Sequence, residues 1–380
     1  MIGGGLGAFI GAIHRMALRL DGLGEWVCGA LSSDPEKALA SGRSLLLDPD
    51  RTYAGFEEML EQESRLPPDQ RMDFVAIVTP NRAHFAPAKM ALEKGFPVLI
   101  EKPMTFDTGE ALQLRELVKK TGLPLCLTHT YSGYPMVKQA RAMVAEGRLG
   151  PIRKIWVEYP QGWLSRLIEQ EGNPQAGWRT DPQQSGKAGS MGDIGTHAAH
   201  LAEYISGCRI TSVSADLNIF VKGRLLDDDG SVLLKFDNGA TGVLMASQVA
   251  AGEQNGLRIR IYGERGGLDW SQMEPDTLMT RWTDAPDQLL RAGSNQPYLH
   301  EAARFHCRTP GGHPEGYIEA FANIYRAFML TLGARLEGRK PSALETDFPG
   351  VEDGLRGMRF IDAVVDSSQK NGQWTLVPAD

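Results

Sequence analysis

The chain has 380 residues, of which 42% are hydrophobic and 23% are charged. This length and composition are typical of a two-domain globular protein and exclude a disordered or fibrous chain. The net charge of −7 arises from 47 acidic and 40 basic residues without a block of Lys or Arg, which argues against nucleic acid as a partner. Neither a bilayer-length apolar run nor a secretory signal is evident, so we expect a cytoplasmic protein without a membrane partner. The four cysteines lack C-x-x-C spacing, and we expect free thiols.

The first predicted element is a glycine-rich turn that leads into a helix. Gly3, Gly5 and Ala8 match the pattern G-x-G-x-x-A, and residues 13–20 are compatible with a helix. In dinucleotide-binding domains such a turn brings backbone N–H groups and the positive end of a helix to a pyrophosphate, with the last small residue permitting close helix packing. The pattern alone also fits a glycine turn without a ligand. The loop residues expected to bind a cofactor are Gly3, Gly5, Leu6, Gly7, Ala8, Phe9 and Ile10.

Short apolar runs alternate with helical patterns through the first third of the chain. The expected strands are Trp26–Leu31, Phe74–Val78, Val98–Ile100 and Pro124–Leu127, and the expected helices are Phe85–Lys94 and Gly109–Lys120. This rhythm predicts βαβ units and a doubly wound parallel sheet, that is, a Rossmann domain over residues 1–128. Ser32 and Ser33 stand where an acidic residue usually holds the ribose hydroxyls. We expect both serines to contact the cofactor, with NAD as the cofactor and NADP as the open alternative.

Longer strand-like segments follow residue 150. They are Ile152–Tyr159, Ile210–Phe220, Ser231–Phe236, Thr241–Val249 and Leu257–Tyr262, and the last predicted elements are the helices His313–Leu332 and Gly350–Ser367. Turn signals such as Asp237-Asn238-Gly239 join neighbouring strands. They predict a second α/β domain, residues 129–380, with an open and predominantly antiparallel sheet. One face of the sheet should pack on helices and the other should face water or a partner subunit. Packing of the C-terminal helix against the first domain is an open alternative to packing within the second domain.

Three motifs occur in order after the glycine loop. They are Val78-Thr79-Pro80-Asn81 with His84, then Ile100-Glu101-Lys102-Pro103, then Trp178-Arg179 followed by Gly192-Asp193-Ile194-Gly195-Thr196-His197. Together they resemble the Gfo/Idh/MocA family of sugar and inositol dehydrogenases over nearly the whole chain. The resemblance implies a homodimer or homotetramer packed through the second domain's sheet. It also implies Lys102 as the catalytic lysine, Asp193 and His197 as its partners, and Pro103 as a cis-proline.

The chemistry of these residues agrees with that resemblance. Oxidation of an alcohol needs a hydride acceptor and a group that removes the hydroxyl proton. Lys102 is suited to that task only where burial beneath a cationic nicotinamide ring disfavours its ammonium form. Asp193 and His197 are four residues apart, and on a helix both would project from one face. The residues alone leave open a solvated Glu101–Lys102 ion pair and a purely structural His197.

A metal site is the disfavoured interpretation of the same helix. Asp193, His197 and His200 have the spacing of metal ligands, but no fourth ligand is evident and we expect no metal. His200 is expected to support the site or the fold.

Further cofactor contacts are expected at the ends of the parallel strands, where a doubly wound sheet binds its ligand. Thr79, Pro80 and Asn81 could equally form a turn in which Asn81 caps the next helix. The expected contacts outside the glycine loop are Ser32, Ser33, Thr79, Pro80, Asn81, His84, Glu101, Lys102 and Arg179.

Several local sequences are similar to family members that oxidise intact pyranosides or anhydrosugars, among them Thr128-His129-Thr130-Tyr131 and Trp178-Arg179-Thr180-Asp181-Pro182. A sugar site needs aromatic faces and fixed polar groups. The expected substrate contacts are Lys102, His129, Tyr131, Trp163, Arg179, Asp181, Asp193, His197 and His313. Four of these residues also have an ordinary alternative role. Tyr131 and Trp163 could be core aromatics, Arg179 could contact the cofactor phosphate, and His313 could only start a helix.

The motifs predict an NAD(P)-dependent oxidoreductase that transfers a hydride from a secondary hydroxyl of a neutral sugar, glycoside or anhydrosugar. A charged sugar is disfavoured because no cluster of cations surrounds the motifs. Two alternatives stay open. One is redox-neutral cleavage through a transient 3-keto sugar with tightly bound NAD, and the other is a non-catalytic dinucleotide-binding regulator.

Overall fold

Four short strands near the N-terminus form a parallel sheet in a computed structural model that describes residues 1–379. The elements of this segment are β1 (Ile2–Gly3), α1 (Phe9–Arg19), α2 (Pro35–Ser44), α3 (Phe56–Arg65), β2 (Val75–Val78), α4 (Phe85–Glu93), β3 (Val98–Ile100), α5 (Thr108–Thr121) and β4 (Leu125–Leu127). The strand order is β1-β2-β3-β4, with Ile77 opposite Ile2 and Ile100 opposite Leu127. Every residue of β2, β3 and β4 is buried, as expected for a parallel sheet with both faces covered.

The predicted strand Trp26–Leu31 is wrong as a regular strand. Only two isolated parallel bridges form there, Ile2 to Ala30 and Gly29 to Thr52. The reason is the shortness of β1, of whose two residues only Ile2 forms a bridge to the segment Trp26–Leu31. The bridge to Ala30 lies on the edge of β1 that is not paired with β2, and the bridge from Gly29 to Thr52 continues the sheet outward. Chain segments therefore pair with both edges of the first strand. The predicted doubly wound Rossmann domain is confirmed.

The following segment builds a larger sheet. Its elements are α6 (Pro135–Ala145), β5 (Ile152–Pro160), α7 (Pro174–Arg179), α8 (Pro182–Ser185), a π-helical turn (Met191–Gly195), α9 (Thr196–Ser206), β6 (Ile210–Asn218), β7 (Asp229–Phe236), β8 (Thr241–Ser247), β9 (Arg258–Gly263), β10 (Gly266–Ser271), β11 (Thr277–Trp282), β12 (Gln288–Arg291), α10 (Glu301–Phe305), α11 (Tyr317–Leu336), α12 (Val351–Gln369) and β13 (Thr375–Leu376). The nine strands lie in the order β12-β11-β10-β9-β5-β8-β7-β6-β13. All neighbours are antiparallel except β5 and β8, so the predicted open antiparallel sheet is confirmed.

The chain forms two compact units. One contains Met1–His129 and Phe321–Leu355, and the other contains Thr130–Ala320 and the chain from Arg356 onward. Aromatic side chains hold the later segment within the first unit: the Phe74 ring lies 5.3 Å from Phe328, which in turn lies 5.5 Å from Phe348. Over residues 1–379, no helix combines the length and apolar character that a membrane crossing requires. All four cysteines are buried and free, as expected.

A buried carboxylate ties α3 to the loops around it. Glu63 is fully buried and accepts two hydrogen bonds of 2.6 Å from Arg51, one of 2.8 Å from Tyr53 and one of 3.1 Å from the Met72 backbone. Burial alone would raise the pKa of Glu63, but these hydrogen bonds and the Arg51 charge outweigh it and lower the pKa. Because the folded pKa lies below the unfolded value of about 4.3, the carboxylate stabilises the fold above that pH. The stabilisation is lost as the pH falls through the folded pKa.

We therefore expect Glu63→Ala to lower the free energy of unfolding by about 3 kcal/mol at neutral pH, since it leaves Arg51 without its partner. Urea unfolding of both proteins at neutral pH and at about pH 3 measures the difference, which should shrink in acid. Glu57→Ala, on the first turn of the same helix, is the control and should change stability by less than about 0.5 kcal/mol. An equal loss for Glu63→Ala at both pH values would contradict the assigned ionisation.

Candidate active site

The glycine loop is shaped by close backbone approaches. Gly3, Gly4 and Gly7 have φ angles of +79°, +74° and +82°, in the left-handed region that glycine tolerates. A Cβ atom at Gly5 would lie 2.6 Å from the Leu31 carbonyl oxygen, and one at Gly11 would lie 2.3 Å from the Gly4 carbonyl oxygen. The close approach of helix and loop that we assigned to Ala8 is therefore at Gly11. Ala8 itself is the N-cap of α1.

The start of α1 is suited to an anion. Within the loop, the Gly5 N–H donates to the Leu31 carbonyl at 3.1 Å and the Leu6 N–H donates to Ser41 Oγ at 3.0 Å. The first-turn N–H groups of Phe9 and Ile10 have no acceptor within the helix, and no acidic side chain lies in that turn. A backbone cradle that a Cβ would fill, next to the positive end of a helix, fits a dinucleotide pyrophosphate.

Ser32 and Ser33 follow the bridge at Ala30. Ser32 Oγ accepts the Asp34 N–H at 3.1 Å, and Asp34 caps α2 by accepting the Lys37 N–H at 3.1 Å. Ser33 is exposed. Asp34 is thus committed to the helix start, and the expected contacts of Ser32 and Ser33 with the cofactor stay predictions.

His84 joins the turns that follow β2 and β3. Its ring is fully buried, with Nδ1 2.9 Å from the Pro103 carbonyl oxygen and Nε2 2.8 Å from that of Thr79. Asn81 is buried in the short 3-10 turn Asn81–Ala83, which lies between Thr79 and His84 in the chain. The Lys102–Pro103 peptide bond is cis, as the resemblance implied. Both ring nitrogens of His84 therefore contact protein carbonyls, and His84 supports the loop that carries Thr79.

Glu101 lies between Lys102 and the first helix. Its carboxylate contacts His14 Nε2 at 3.0 Å and accepts the Lys102 N–H at 3.2 Å. Burial would raise the pKa of Glu101, but the hydrogen bond and charge of His14, the charge of Lys102 and the Thr128 hydroxyl lower it to about 2. Glu101 is therefore ionised at every working pH.

In the second unit, Asp193 lies on the π-helical turn and His197 on the first turn of α9. The predicted helix over this region is confirmed, but its first turn is wider than an α-helical turn. The Asp227 carboxylate anchors this start: it accepts the N–H groups of Gly189 at 2.6 Å and Met191 at 2.7 Å, and the Ser190 hydroxyl at 3.0 Å. Burial raises the pKa of Asp227, against the effect of these hydrogen bonds. Sequence reasoning missed Asp227, which lies in a loop 34 residues beyond Asp193.

Two donors hold the Asp193 carboxylate. Its Oδ2 accepts from Gln248 Nε2 at 2.8 Å and from Arg179 Nε at 3.2 Å. The Arg179 guanidinium also lies over the Trp178 ring at 4.2 Å and the Trp163 ring at 5.8 Å. Arg179 therefore neutralises Asp193, and its expected contacts with cofactor and substrate stay predictions. Gln248 is 2% exposed and was missed, because a single glutamine after a strand has no distinguishing pattern.

A hydrogen-bonded group of aromatic and amide side chains begins at two tyrosine rings beside His197. The Tyr131 ring lies 4.9 Å from the His197 ring, and the Tyr131 and Tyr159 hydroxyls share a hydrogen bond. Asn255 joins the two tyrosines: its Oδ1 accepts from Tyr159 at 2.7 Å and its Nδ2 donates to Tyr131 at 3.2 Å. The group continues through Gln161, which donates to Asn255 at 2.7 Å, to Trp163, which donates to Gln161 at 3.0 Å. We call Tyr131, Tyr159, Gln161, Trp163, His197 and Asn255 the tyrosine–amide cluster.

Tyr131, Trp163 and His197 of this cluster were expected from the sequence, whereas Tyr159, Gln161 and Asn255 were not. Two other expected substrate contacts have local roles. Asp181 caps α8 by accepting the Gln183 N–H at 2.9 Å, and His313 is exposed, with Nδ1 3.3 Å from the Pro310 carbonyl oxygen.

Two further histidines named in the sequence analysis lie in separate surroundings. His129 is buried at the end of the first unit, and His200 stacks on Tyr204 with ring centroids 5.6 Å apart. Within residues 1–379, no group of three or more His, Cys, Asp or Glu side chains has the arrangement of a metal site.

Comparisons with known proteins agree with this geometry. The family model described as "Oxidoreductase family, NAD-binding Rossmann fold" matches residues 1–129, and the "GFO/IDH/MocA C-terminal domain" model matches residues 137–269. The chain is 31% identical over 377 residues to the uncharacterized oxidoreductase YfiI of Bacillus subtilis, covering 98% of this chain and 95% of that protein. It is 26% identical to levoglucosan dehydrogenase of Pseudarthrobacter phenanthrenivorans, covering 100% of this chain and 97% of the enzyme.

An inositol dehydrogenase homologue from Azotobacter vinelandii has a similar structure. Its complex with NAD+ superposes with a TM-score of 0.93 at 36% identity, covering 99% of this chain and 96% of that one. Its complex with NADH and myo-inositol gives a TM-score of 0.90 at 35% identity, with the same coverage. The expected family, enzyme class and NAD cofactor are confirmed by these matches. The chain belongs to the GFO/IDH/MocA family and is an NAD-dependent oxidoreductase.

Proposed function

We propose that this chain oxidises a secondary hydroxyl of a neutral sugar, glycoside or anhydrosugar, with C3 of a pyranoside as the first position to test. The tyrosine–amide cluster carries this proposal. It combines aromatic faces, which pack on the C–H side of a sugar ring, with amide and hydroxyl groups that pair with its hydroxyls. The nearby cation, Arg179, is paired with Asp193, which disfavours a phosphate or carboxylate on the substrate. Two of the similar proteins reported above are associated with uncharged cyclic polyols. One is named as a levoglucosan dehydrogenase, and the other has been solved in complex with NADH and myo-inositol.

The proposed roles follow from the chemistry of each side chain. NAD, when bound, supplies the hydride acceptor. Lys102 takes the proton of the reacting hydroxyl, and His197 shares or relays it. Asp193, whose Oδ2 is fixed by Arg179 and Gln248, accepts a hydrogen bond from a substrate hydroxyl. Because Asp193 is held from two sides, the hydroxyl it binds has one defined direction.

A substrate panel tests the proposal. Pyranosides, inositols and anhydrosugars are incubated with NAD or NADP, and absorbance reports the reduced nicotinamide. We expect NAD reduction with at least one neutral sugar and its loss in Asp193→Asn. Turnover only with phosphorylated sugars would overturn the substrate class. Glycoside cleavage without net NADH would support the redox-neutral alternative, and NAD binding without any turnover would support the regulator.

We also propose that the chain assembles as a homodimer or homotetramer through the sheet of its second unit. Trp156, Val243 and Leu233 lie directly opposite one another across β5, β8 and β7. Trp156 is 37% exposed and Leu233 is 50% exposed, whereas the alternate residues Val232 and Leu234 of β7 are buried. An apolar row on an open sheet face is the surface that a second copy of the chain would cover.

Leu233→Glu should therefore shift the protein toward monomers, because two carboxylates would meet near a self-complementary contact. Size-exclusion chromatography with light scattering measures the mass. Leu336→Glu changes another exposed leucine and is the matched control. Monomeric wild-type protein at high concentration would contradict the assembly.

A further inference from the structure

One buried serine hydroxyl connects the second helix to the glycine loop. Ser41 is on α2 and is 0% exposed. Its Oγ accepts the Leu6 N–H at 3.0 Å, across 35 residues of sequence, and donates to the Lys37 carbonyl oxygen at 2.7 Å. Gly5 lies against the same side chain, since a Cβ there would be 2.6 Å from Ser41 Oγ. All of these residues belong to the first unit.

The direction of both hydrogen bonds is fixed by the groups involved. The Leu6 N–H can only donate, and the Lys37 carbonyl oxygen can only accept. The Ser41 hydrogen is therefore directed along α2 to the residue four positions earlier, a bond that serines form within helices. A lone pair of Oγ is left for the Leu6 N–H, so the hydroxyl serves the loop only as an acceptor.

Backbone groups hold the earlier part of the loop. The Gly3 N–H donates to the Ala30 carbonyl oxygen at 2.8 Å, and the Gly5 N–H donates to the Leu31 carbonyl oxygen at 3.1 Å. The next N–H, that of Leu6, depends on a side chain instead. One substitution at Ser41 therefore releases this point of the loop while the backbone bonds before it remain.

The point held by Ser41 lies directly before the groups that suit an anion. Leu6 is two residues before Ala8, the N-cap of α1, and the first-turn N–H groups of Phe9 and Ile10 follow. These N–H groups bind a pyrophosphate well only where they converge on one place. A loop that is released at Leu6 would let the start of α1 vary in position.

We propose that Ser41 is a positioning residue for NAD: its hydroxyl holds the Leu6 N–H against α2 and so keeps the start of α1 in place for the pyrophosphate. NAD binding then needs little ordering of the loop, which lowers its entropic cost. Ser41 acts through the loop, because its own hydrogen is donated within α2. The inference rests on the assignment of the pyrophosphate to the glycine loop and is independent of the sugar that is oxidised.

The test compares two serine-to-alanine variants of the same helix. Ser41→Ala removes the hydroxyl and should leave α2 intact, because alanine is the better helix former. Ser44→Ala makes the same chemical change at an exposed position of α2 and is the matched control. Thermal unfolding of the full-length proteins verifies that both variants are folded.

The first readout is affinity for the cofactor and its fragments. NADH is titrated by fluorescence, and ADP and adenosine are titrated in competition with it. We expect Ser41→Ala to raise the Kd of NADH about five- to tenfold, the scale of one hydrogen bond. ADP contains the pyrophosphate and should lose the same factor, whereas adenosine lacks it and should bind as to the wild type. Ser44→Ala should leave all three affinities within about twofold of the wild type.

The second readout is hydrogen–deuterium exchange without cofactor, followed by mass spectrometry. In Ser41→Ala the peptide that covers residues 3–10 should take up about one more deuteron at early times, because the Leu6 N–H has lost its acceptor. The peptide that covers α2 should exchange as in the wild type. In turnover with the best sugar of the panel, KM for NAD should rise while kcat stays unchanged, since the pyrophosphate contact is the same in the ground state and the transition state.

NADH affinity of Ser41→Ala within about twofold of the wild type would overturn the inference. An equal loss for ADP and adenosine, or faster exchange throughout α2, would also overturn it, because either result would make Ser41 a structural residue of the helix. If the binding and exchange results are as expected but no sugar is oxidised, the inference stands and the proposed function fails. If sugars are oxidised and NADH affinity is unchanged, the inference fails alone.

Discussion

Lys102→Ala should lower turnover by about 10²–10⁴-fold while the protein keeps its fold and most of its affinity for NAD. The reason is that alanine cannot accept the hydroxyl proton, whereas the glycine loop and the start of α1, which fit the pyrophosphate, are untouched. Steady-state assays with the best substrate of the panel measure the loss, and calorimetry measures NAD binding. The rise of kcat/KM toward alkaline pH should disappear with the base.

Lys102→Arg is the matched variant. It keeps the positive charge and much of the length, but a guanidinium stays protonated at any working pH and should not restore turnover. His197→Ala should reduce turnover less than Lys102→Ala, because water can replace a relay. Near wild-type turnover with an unchanged alkaline limb in Lys102→Ala would make Lys102 structural and would make His197 the first candidate for the base.

Gly5→Val should weaken NAD binding by about 100-fold or more. A Cβ at this position would lie 2.6 Å from the Leu31 carbonyl oxygen and 2.6 Å from Ser41 Oγ, and a backbone oxygen cannot move away as a flexible side chain can. The loop must shift, and the Leu6 N–H that bonds Ser41 shifts with it. Fluorescence titration with NADH measures the affinity.

The matched control is Gly333→Ala in α11, where an added Cβ meets nothing within 4 Å. It should leave NAD binding unchanged and stabilise the helix slightly. Limited proteolysis should show the second unit of Gly5→Val intact. Unaltered NAD affinity in folded Gly5→Val would remove the loop from the cofactor site.

The elements that the sequence predicted well are those with a strong local pattern. Buried strands such as β2 and β3 are uninterrupted apolar runs, and the hairpin of β7 and β8 has an Asp-Asn-Gly turn between alternating residues. Trp26–Leu31 has the same apolar character, but a strand also needs a neighbour of matching length, and β1 has two residues. Strands β10–β12 were missed because a pair of glycines and several polar residues conceal their alternation.

The same distinction applies to the site. Lys102, Asp193 and His197 lie in contiguous motifs, and the structure supplies partners that no motif contains. His14, Asp227 and Gln248 each act across long stretches of sequence, and a single residue of a common type has no periodicity to mark it. Partners of this kind follow from the packing of the folded chain, which local patterns do not specify.

The π-helical turn Met191–Gly195 sets an angle as well as a position. Its hydrogen bonds span five residues instead of four, so it contains one residue more than a regular turn needs. Deleting Ile194 could leave a regular α-helix with His197 in place, yet it would rotate Asp193 by about 100° around the helix axis, away from Gln248. The extra residue thus sets the direction in which the Asp193 side chain leaves the helix. The number of residues in this turn is therefore constrained more strongly than the identity of the residues that do not contact Gln248 or Asp227.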